Sequence, residues 1–344
     1  MKHALIDISN MVHRARHAIP KTTEPRHVVG LCLATTFMSM RKSFRNFRTD
    51  NLVVAFDYGS WRHQIYDQYK AHRKEKDTPY DLEVKENIEI ALKELYTFLN
   101  EQTNVISLQR KNVEADDFIA RWIELNPDDE HLIVSTDGDF RQLVSDKVKI
   151  YNGVMDEIIS LDGIYYKDSL ASSKKIKVVE MYGETWKQKH PRKNKVLQDE
   201  PFKVEPEWDL FLKIMKGDTS DNIPAAHVPR VRTTKLREAF EKPGEAAWKE
   251  VMHGVREQVP DPETGETRDI LVEDRFKFNK ALIDMREIPD DIKNAMDETI
   301  VEQIEKPELH SVGHAFIQFC TKYQMVNIAK EANTFGKFLT RKYK

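Results

Sequence analysis

The stretch that most constrains this chain is Val113–Ala120, where three acidic residues fall within four positions at the start of an otherwise apolar segment. This pattern predicts the N-terminus of an α-helix, because free N–H groups and the helix dipole favour negative charge there. Two more acidic pairs occur elsewhere, Asp137 with Asp139 and Asp218 with Asp221. Two carboxylates about 4 Å apart repel by about 4 kcal/mol at an effective dielectric constant of roughly 20, so acids that converge need cations among them. All-oxygen sites select hard ions such as Mg²⁺ or Mn²⁺ rather than zinc.

Composition and charge describe a water-soluble globular chain of 344 residues, 40% hydrophobic and 32% charged, long enough for about two domains. No apolar run approaches the ~20 residues of a transmembrane helix and no signal peptide is evident, so we expect no membrane association and a cytoplasmic location. Cys32 and Cys320 are far apart in sequence and are expected to be free, buried thiols. Setting aside nine acids that could join a metal cluster turns the formal net charge of −3 into +6, so the charge does not exclude a nucleic-acid partner.

Short apolar runs alternate with helical periodicity in the first 150 residues, as in the helix predicted over Val28–Phe47. The predicted strands are Ala4–Ile8, Leu52–Phe56, Asn104–Leu108 and Leu132–Thr136. The alternation predicts a mostly parallel sheet flanked by helices. Three of the strands run into or close to an aspartate, namely Asp7, Asp57 and Asp137, and the carboxyl edge of such a sheet is where ligands bind.

Residues 61–74 form a basic and aromatic segment. Within it, the spacing Tyr69-Lys70-x-x-Arg73 would place Lys70 and Arg73 one helical turn apart, within reach of the same phosphodiester. A solvated surface helix is the plain alternative for this segment taken alone.

The second half of the chain is less regular. Residues 171–204 are polar and rich in lysine, which favours a solvated insertion over a flank of a nucleic-acid site. From Trp208 onward the periodicity predicts mainly helices, broken by an exposed loop at 260–265. Near the C-terminus, Thr334–Leu339 is predicted to be a packed helix, with a clamp-binding peptide as the alternative.

Six motifs, in this order, resemble those of the flap endonuclease / 5′-3′ exonuclease family, and the chain is most similar to its stand-alone phage 5′ nucleases of the phage RNase H type. The motifs are Leu5-Ile6-Asp7, Ala55-Phe56-Asp57, Tyr69-Lys70-x-x-Arg73, Val113–Asp117, Ser135–Asp139 and Gly217–Pro224. The resemblance covers residues 5–240 and matches all nine family carboxylates, which are Asp7, Asp57, Glu114, Asp116, Asp117, Asp137, Asp139, Asp218 and Asp221.

The resemblance implies a domain plan. Residues 1–170 would form a PIN-like α/β catalytic core that includes a helical arch near 61–101. Residues 171–204 would be an insertion, and 205–344 a helical part with a helix-hairpin-helix-like DNA-binding segment near 210–241.

The resemblance also implies two Mg²⁺ or Mn²⁺ ions and a role for each acid. The first ion would be held by Asp7, Asp57, Glu114 and Asp116; the second would be held or oriented by Asp137, Asp139, Asp218 and Asp221; Asp117 would support both and act in catalysis. The remaining implied contacts are catalytic contacts of Lys70 and Arg73 with the scissile phosphate, and nucleic-acid contacts of Arg14 and Tyr69. Arg230, Arg232 and Lys235 are expected to supply further phosphate contacts in the segment where this chain departs from the family pattern. This chain has Ala225–Arg232 where the family has a glycine-rich turn, which counts against the K⁺ ion often bound there.

The implied activity is that of a metal-dependent 5′-3′ exonuclease or flap endonuclease that cuts DNA with 5′ ends or flaps, and RNA primers in RNA–DNA duplexes, during replication. The chain would act as a monomer in a bacterium or a phage-infected host, with a sliding clamp or a single-strand DNA-binding protein as candidate partners. Two alternatives stay open at this point. They are a PIN-type ribonuclease, which is usually shorter and lacks the Tyr-Lys-x-x-Arg motif, and a non-catalytic DNA-junction-binding protein, which the intact acids disfavour.

Overall fold

The structure, a computed structural model, describes residues 1–71, 78–167, 178–181, 184–190, 195–196, 203–228, 231–260 and 267–343. Its contacts divide the chain into two units. The first unit comprises Met1–Ser60, Asp77–Val204 and Asp290–Lys344, and the second comprises Trp61–Lys76 and Glu205–Pro289. No helix in the described ranges combines the length and apolar character needed to cross a membrane.

The first unit is built on a sheet to which the described residues contribute ten strands. The strands are β1 Lys2–Asp7, β2 Asn51–Ala55, β3 Ile106–Leu108, β4 Glu130–Val134, β5 Val148–Asn152, β6 Glu157–Ser160, β7 Gly163–Lys167, β8 Val178–Met181, β9 Glu184–His190 and β10 Lys195–Val196. The helices of this unit are α1 Ile8–His17, α2 Pro25–Asn46, α3 Pro79–Gln102, α4 Ala115–Leu125, α9 Asp290–Glu305, α10 Val312–Lys322, α11 Val326–Lys330 and α12 Ala332–Leu339.

The strand order is β10-β9-β7-β6-β5-β4-β1-β2-β3, with β8 paired to β9. Strands β3, β2, β1, β4 and β5 run parallel, and the pairings from β5 through β10 are antiparallel. The predicted fold class, a mostly parallel sheet flanked by helices with a helical C-terminal region, is confirmed. The antiparallel extension was not predicted, and three of its strands lie in the polar segment 171–204.

The two faces of the parallel half are covered by different helices, as strand alternation requires. Ala4 and Ile6 of β1 point into the main core with apolar residues of α2, α3, α10 and α12. Leu5, between them, is also fully buried. Helix α4 packs on β1 and β2, and α9 packs on β3 and α4.

The C-terminal residues Asp290–Lys344 cluster with the first unit, whereas the domain plan predicted from the sequence joins them to 205–289. The reason is apolar burial, because Phe316, Phe335 and Phe338 are at most 1% exposed within the main core. The segment that includes Thr334–Leu339 is accordingly a packed helix, α12. Likewise α3, which falls in the predicted arch 61–101, buries Ile88, Leu95 and other apolar side chains in this core.

The second unit consists mainly of helices. Its elements are a 3₁₀ turn at Trp61–Gln64, α5 Pro206–Lys216, α6 Thr233–Glu241, α7 Ala246–Met252, the antiparallel strands β11 Val255–Pro260 and β12 Thr267–Leu271, and α8 Val272–Ile283. Phe211, Met215, Leu236 and Met252 form its core with residues of α8. The predicted loop at 260–265 falls between the strands of this hairpin, and residues 261–266 lie outside the described part of the chain.

Candidate metal centre

Three predicted acids follow neighbouring parallel strands at the same edge of the sheet. Asp7 is the last residue of β1, whose register pairs it with Ala55 at the end of β2, two residues before Asp57. Strand β4 pairs with β1 up to Val134, three residues before Asp137. Because parallel strands end on one side, the topology brings these three acids to a common edge.

Asp7 is the most buried of the three. Its side chain caps α1 by accepting a hydrogen bond from the Asn10 N–H at 3.0 Å, and its second oxygen accepts one from the Ser135 hydroxyl at 3.2 Å. Burial, together with the nearby carboxylates of Asp57 and Asp137, raises the pKa of Asp7 to about 8. An acid in this position favours a neutral state unless positive charge is supplied to the edge.

The segment that contains Glu114 begins α4, as the acidic cluster in the sequence predicts. Glu114 is the N-cap residue, its backbone N–H donates to Asp117 at 3.2 Å, and its side chain accepts a hydrogen bond from Ser60 at 2.7 Å. Asp57 accepts a hydrogen bond from the Ala115 N–H at 2.8 Å. This bond joins the edge after β2 to the start of α4.

Glu114, Asp116 and Asp117 form a compact trio. One ligand oxygen from each lies within 4.8 Å of the others, a spacing that allows all three to contact one ion. Asp117 is fully buried and Glu114 is 6% exposed, while Asp116 is half-buried.

Asp137 and Asp139 are the remaining two predicted metal ligands in the first unit. Asp137 begins a 3₁₀ turn over Gly138–Leu143 and accepts a hydrogen bond from the Asp139 N–H at 2.9 Å. The Ser135 hydroxyl accepts a hydrogen bond from the Asp137 N–H at 3.1 Å and donates to Asp7, so one hydroxyl links the two acids. Arg14 also lies at this edge and donates a hydrogen bond to Thr136.

The donor set fits a hard divalent cation. Every ligand candidate is a carboxylate, and the described part of the chain brings no histidine or cysteine into the trio. Oxygen-rich sites with several carboxylates suit Mg²⁺ or Mn²⁺. The raised pKa of Asp7 agrees with this, because a cation bound nearby would stabilise its ionised form.

Asp218 and Asp221 belong to the second unit. That they bind metal together with the acids of the first unit stays a prediction. Both lie in a closed loop after α5, in which the backbone of Asp218 pairs with Ile223 in both directions, at 2.8 and 2.7 Å. Asp218 contacts the Lys213 ammonium at 2.8 Å and accepts from the Ser220 hydroxyl at 2.6 Å. Burial opposes ionisation of Asp218, but these bonds outweigh it and lower its pKa to about 2.

Tyr69 and Lys70 both contact Asp221. The Tyr69 hydroxyl donates to the Asp221 carboxylate at 3.0 Å, and the Lys70 ammonium lies 3.8 Å from the same oxygen. Tyr69 is only 3% exposed and its hydroxyl orients Asp221, while its contact with nucleic acid stays a prediction.

Lys70 lies in a turn rather than in the helix that the spacing predicted. Its φ is +56°, and its N–H donates to the Asp221 carbonyl at 3.0 Å. The buried Tyr69 and this backbone bond override the local helical pattern. Arg73 lies outside the described residues.

Of the three residues predicted to supply further phosphate contacts, the structure describes two. Arg232 is exposed at the start of α6, and Lys235 pairs with Glu250. Arg230 lies outside the described residues. In the turn where the sequence counts against a K⁺ ion, the N–H groups of Ala226 and His227 both donate to the Met215 carbonyl, at 2.9 and 3.1 Å.

Sequence reasoning missed the neutral residues that hold the acids in place. They are Ser9, Asn10, Ser60, Ser135 and Thr136, which donate to the acids, accept from their backbone or bond to one another. The available signal was proximity in sequence, because each lies within three residues of a predicted acid. Ile8, which directly follows Asp7, is fully buried in the main core.

Comparison with known proteins identifies the family. The model for the 5′-3′ exonuclease N-terminal resolvase-like domain matches residues 2–183. The chain is 28% identical over 257 residues to DNA polymerase I of Rhizobium leguminosarum, covering 70% of this chain and 20% of that protein. It is 24% identical over 226 residues to a 5′-3′ exonuclease of Mycoplasmopsis pulmonis, covering 64% of this chain and 61% of the relative. The match thus spans between a fifth and three fifths of these relatives.

A solved structure supports the fold. The T5 D15 protein, co-crystallized with metal ions, superposes with a TM-score of 0.57 at 16% identity, covering 89% of this chain and all of that one. From the family match over more than half of its length, the chain belongs to the 5′-3′ exonuclease family.

Proposed function

We propose that this chain is a divalent-metal-dependent 5′ nuclease that hydrolyses phosphodiesters at 5′ ends and flap junctions of DNA, and RNA primers paired with DNA, during replication. The observation that carries the proposal is the linked set of acids at the carboxyl edge of the sheet, with Asp7 beside Asp57 and Asp137 and with the trio that includes Glu114 at the start of α4. The family match and the DNA and metal ions in a T5 D15 flap endonuclease complex of the same fold support it.

In the proposed site, Asp7, Asp57, Glu114 and Asp116 hold one Mg²⁺ or Mn²⁺, and Asp137, Asp139, Asp218 and Asp221 hold or orient a second. Bound divalent ions would lower the pKa of an attacking water and stabilise the leaving oxygen. Asp117, fully buried, fixes the start of α4 by accepting a hydrogen bond from the Glu114 N–H. Ser135 orients Asp7 and Asp137 together.

Basic residues of the chain are proposed to contact the DNA. Lys70 and Arg73 would contact the scissile phosphate and offset the negative charge that develops on it. Arg14, at the edge beside Thr136, would contact the substrate. Arg230, Arg232 and Lys235 would contact backbone phosphates farther along the duplex. We propose that the chain acts as a monomer in the cytoplasm of a bacterium or a phage-infected host, with a sliding clamp or single-strand DNA-binding protein as its partner.

The test is incubation with a 5′-labelled DNA flap in Mg²⁺ and, separately, in EDTA. Release of short 5′ products only with Mg²⁺ is the expected result. Tight binding of the flap in Ca²⁺ with no cutting in Mg²⁺ would instead identify a junction-binding protein, and preferred cutting of single-stranded RNA would identify a PIN-type ribonuclease.

A further inference from the structure

Asn279 is a polar residue where the pattern of α8 calls for an apolar one. Val272, Phe276 and Ile283 share its side of the helix and pack in the apolar clusters of the second unit. Asn279 is itself fully buried. A buried amide costs free energy unless it is hydrogen-bonded, so its presence on this stripe needs a structural reason.

The side-chain amide of Asn279 donates to two carbonyls in different segments. One hydrogen bond goes to Ile214 in the last turn of α5, at 3.0 Å, and the other to Pro224, at 2.8 Å. Carbonyls in the last turn of a helix have no partner within the helix, so Ile214 depends on an outside donor. The Asn279 Oδ1 has no hydrogen-bond partner among the described residues. The two bonds donated by its Nδ2 are therefore the reason for a polar residue at this position.

These two carbonyls flank the neck of the loop that contains Asp218 and Asp221. The chain leaves α5 at Lys216 and is paired across the neck between Asp218 and Ile223. Gly217 has a φ of +69°, and a side chain there would place its Cβ in collision with the Ile223 carbonyl oxygen. The neck is therefore closely packed, and Asn279 bonds to both sides of it.

We propose that Asn279 is a positioning residue that holds the Asp218–Asp221 loop in the shape needed to bind the second divalent ion. The inference deepens the proposed function and rests on it for the assignment of these two acids as ligands. Without the amide, the buried Ile214 carbonyl and the Pro224 carbonyl both lose their donor, and the neck must open toward water for Ile214 to recover one. Asp218 and Asp221 then lose their fixed spacing although their own side chains are unchanged.

The test compares Asn279→Leu with the wild type in a Mn²⁺ titration followed by electron paramagnetic resonance and calorimetry. Leucine has a similar volume and suits the apolar stripe, so the helix is retained while both donors are lost. We expect two Mn²⁺ sites in the wild type and an affinity at the second site that is about tenfold weaker in the variant, the lower end for residues that orient metal ligands. The kcat for flap cleavage should fall with it, whereas KM and flap binding in EDTA stay within about twofold.

The matched control is Val272→Ala, which removes buried apolar volume from the same helix but touches neither carbonyl. It should lower the melting temperature and leave both Mn²⁺ affinities unchanged. Equal Mn²⁺ binding by Asn279→Leu and the wild type, or equal losses in the leucine variant and the control, would overturn the inference. If the leucine variant does not fold, Asn279→Ser, which keeps one donor on a shorter side chain, decides by the same titration: an intermediate affinity supports the proposal and an unchanged one refutes it. A wild type that binds two Mn²⁺ ions but leaves flaps uncut would refute the nuclease activity and leave the role of Asn279 intact.

Discussion

Asp7 in the first unit and Asp218 in the second are both mostly buried carboxylates, yet their surroundings act in opposite directions. Asp7 accepts hydrogen bonds from two neutral donors and lies near other carboxylates, and its pKa is raised to about 8. Asp218 is 2.8 Å from the Lys213 ammonium, and its pKa is lowered to about 2 despite burial.

Because of this difference, we expect the two acids to respond differently to a divalent ion. Around Asp7 several carboxylates lie close together and are hydrogen-bonded only to neutral donors in the contacts described above. A bound cation would therefore reduce the repulsion between these carboxylates. At Asp218 the chain already supplies a cation from α5, so a metal ion there must compete with Lys213 or be shared with it. Divalent metal should therefore stabilise the first unit more strongly than the second.

The largest expected effect is that of Asp7→Asn. Flap cleavage should fall by more than about 100-fold, beyond the range for residues that only orient metal ligands. In EDTA, however, the variant should melt at a higher temperature than the wild type. The amide keeps an acceptor for the Asn10 N–H, and it avoids the cost of protonating, or burying as a charge, a carboxyl group whose pKa is raised to about 8 in the folded protein. Scanning calorimetry in EDTA measures the second effect. A lower melting temperature for the variant would contradict the repulsion assigned to this edge.

Addition of Mn²⁺ should give the next largest effect. At a concentration about 100-fold above Kd, binding to the native state raises the free energy of unfolding by about 2.7 kcal/mol per site. We expect Asp7→Asn to lose most of this stabilisation and Asp218→Asn to lose a smaller part of it. Thermal unfolding of the three proteins with and without Mn²⁺ makes the comparison. Equal losses in the two variants would remove the distinction between the units.

Ser135→Ala should reduce cleavage by about tenfold, the lower end for residues that orient metal ligands. The hydroxyl bonds to Asp7 and to the Asp137 backbone, so its loss loosens both acids and leaves their charges in place. Thr97→Ala is the matched control, because its exposed hydroxyl bonds to the Lys93 carbonyl of its own helix and lies in none of the acidic motifs. Steady-state cleavage rates of the two variants test the effect, and equal rates would show that Ser135 does not orient the acids.

Ser135 also illustrates what the sequence could and could not predict. The strands that end near Asp7, Asp57 and Asp137 were predictable because buried parallel strands are short apolar runs and their carboxyl ends share an edge. The start of α4 was predictable because an acidic first turn before an apolar stripe is typical of a helix N-terminus. A serine beside an aspartate has no such signature, and its role depends on which strand lies next to it.

Three features of the structure depend on tertiary contacts and could not be predicted from local sequence patterns. Lys70 leaves the helical region because its N–H bonds to a loop about 150 residues later in the chain. The antiparallel strands from β6 onward are short and partly polar, and their pairing is set by neighbouring strands rather than by hydrophobic periodicity. Asn279, on an otherwise apolar stripe, has a role only when Ile214 and Pro224 are brought together.

The smallest effect expected is the coupling between Lys213 and Asp218. Their charged groups are 2.8 Å apart and their side chains are 23% and 13% exposed, so the pair should contribute about 1 kcal/mol or less to stability. A double-mutant cycle of Lys213→Met and Asp218→Asn, measured by urea unfolding in EDTA, gives this coupling directly.

Lys213→Met alone should also increase the stabilisation by Mn²⁺, because it leaves Asp218 without that lysine and makes its surroundings more like those of Asp7. If Mn²⁺ stabilises the methionine variant no more than the wild type, Lys213 does not compete with the metal, and the two acids differ only in how they are held without it.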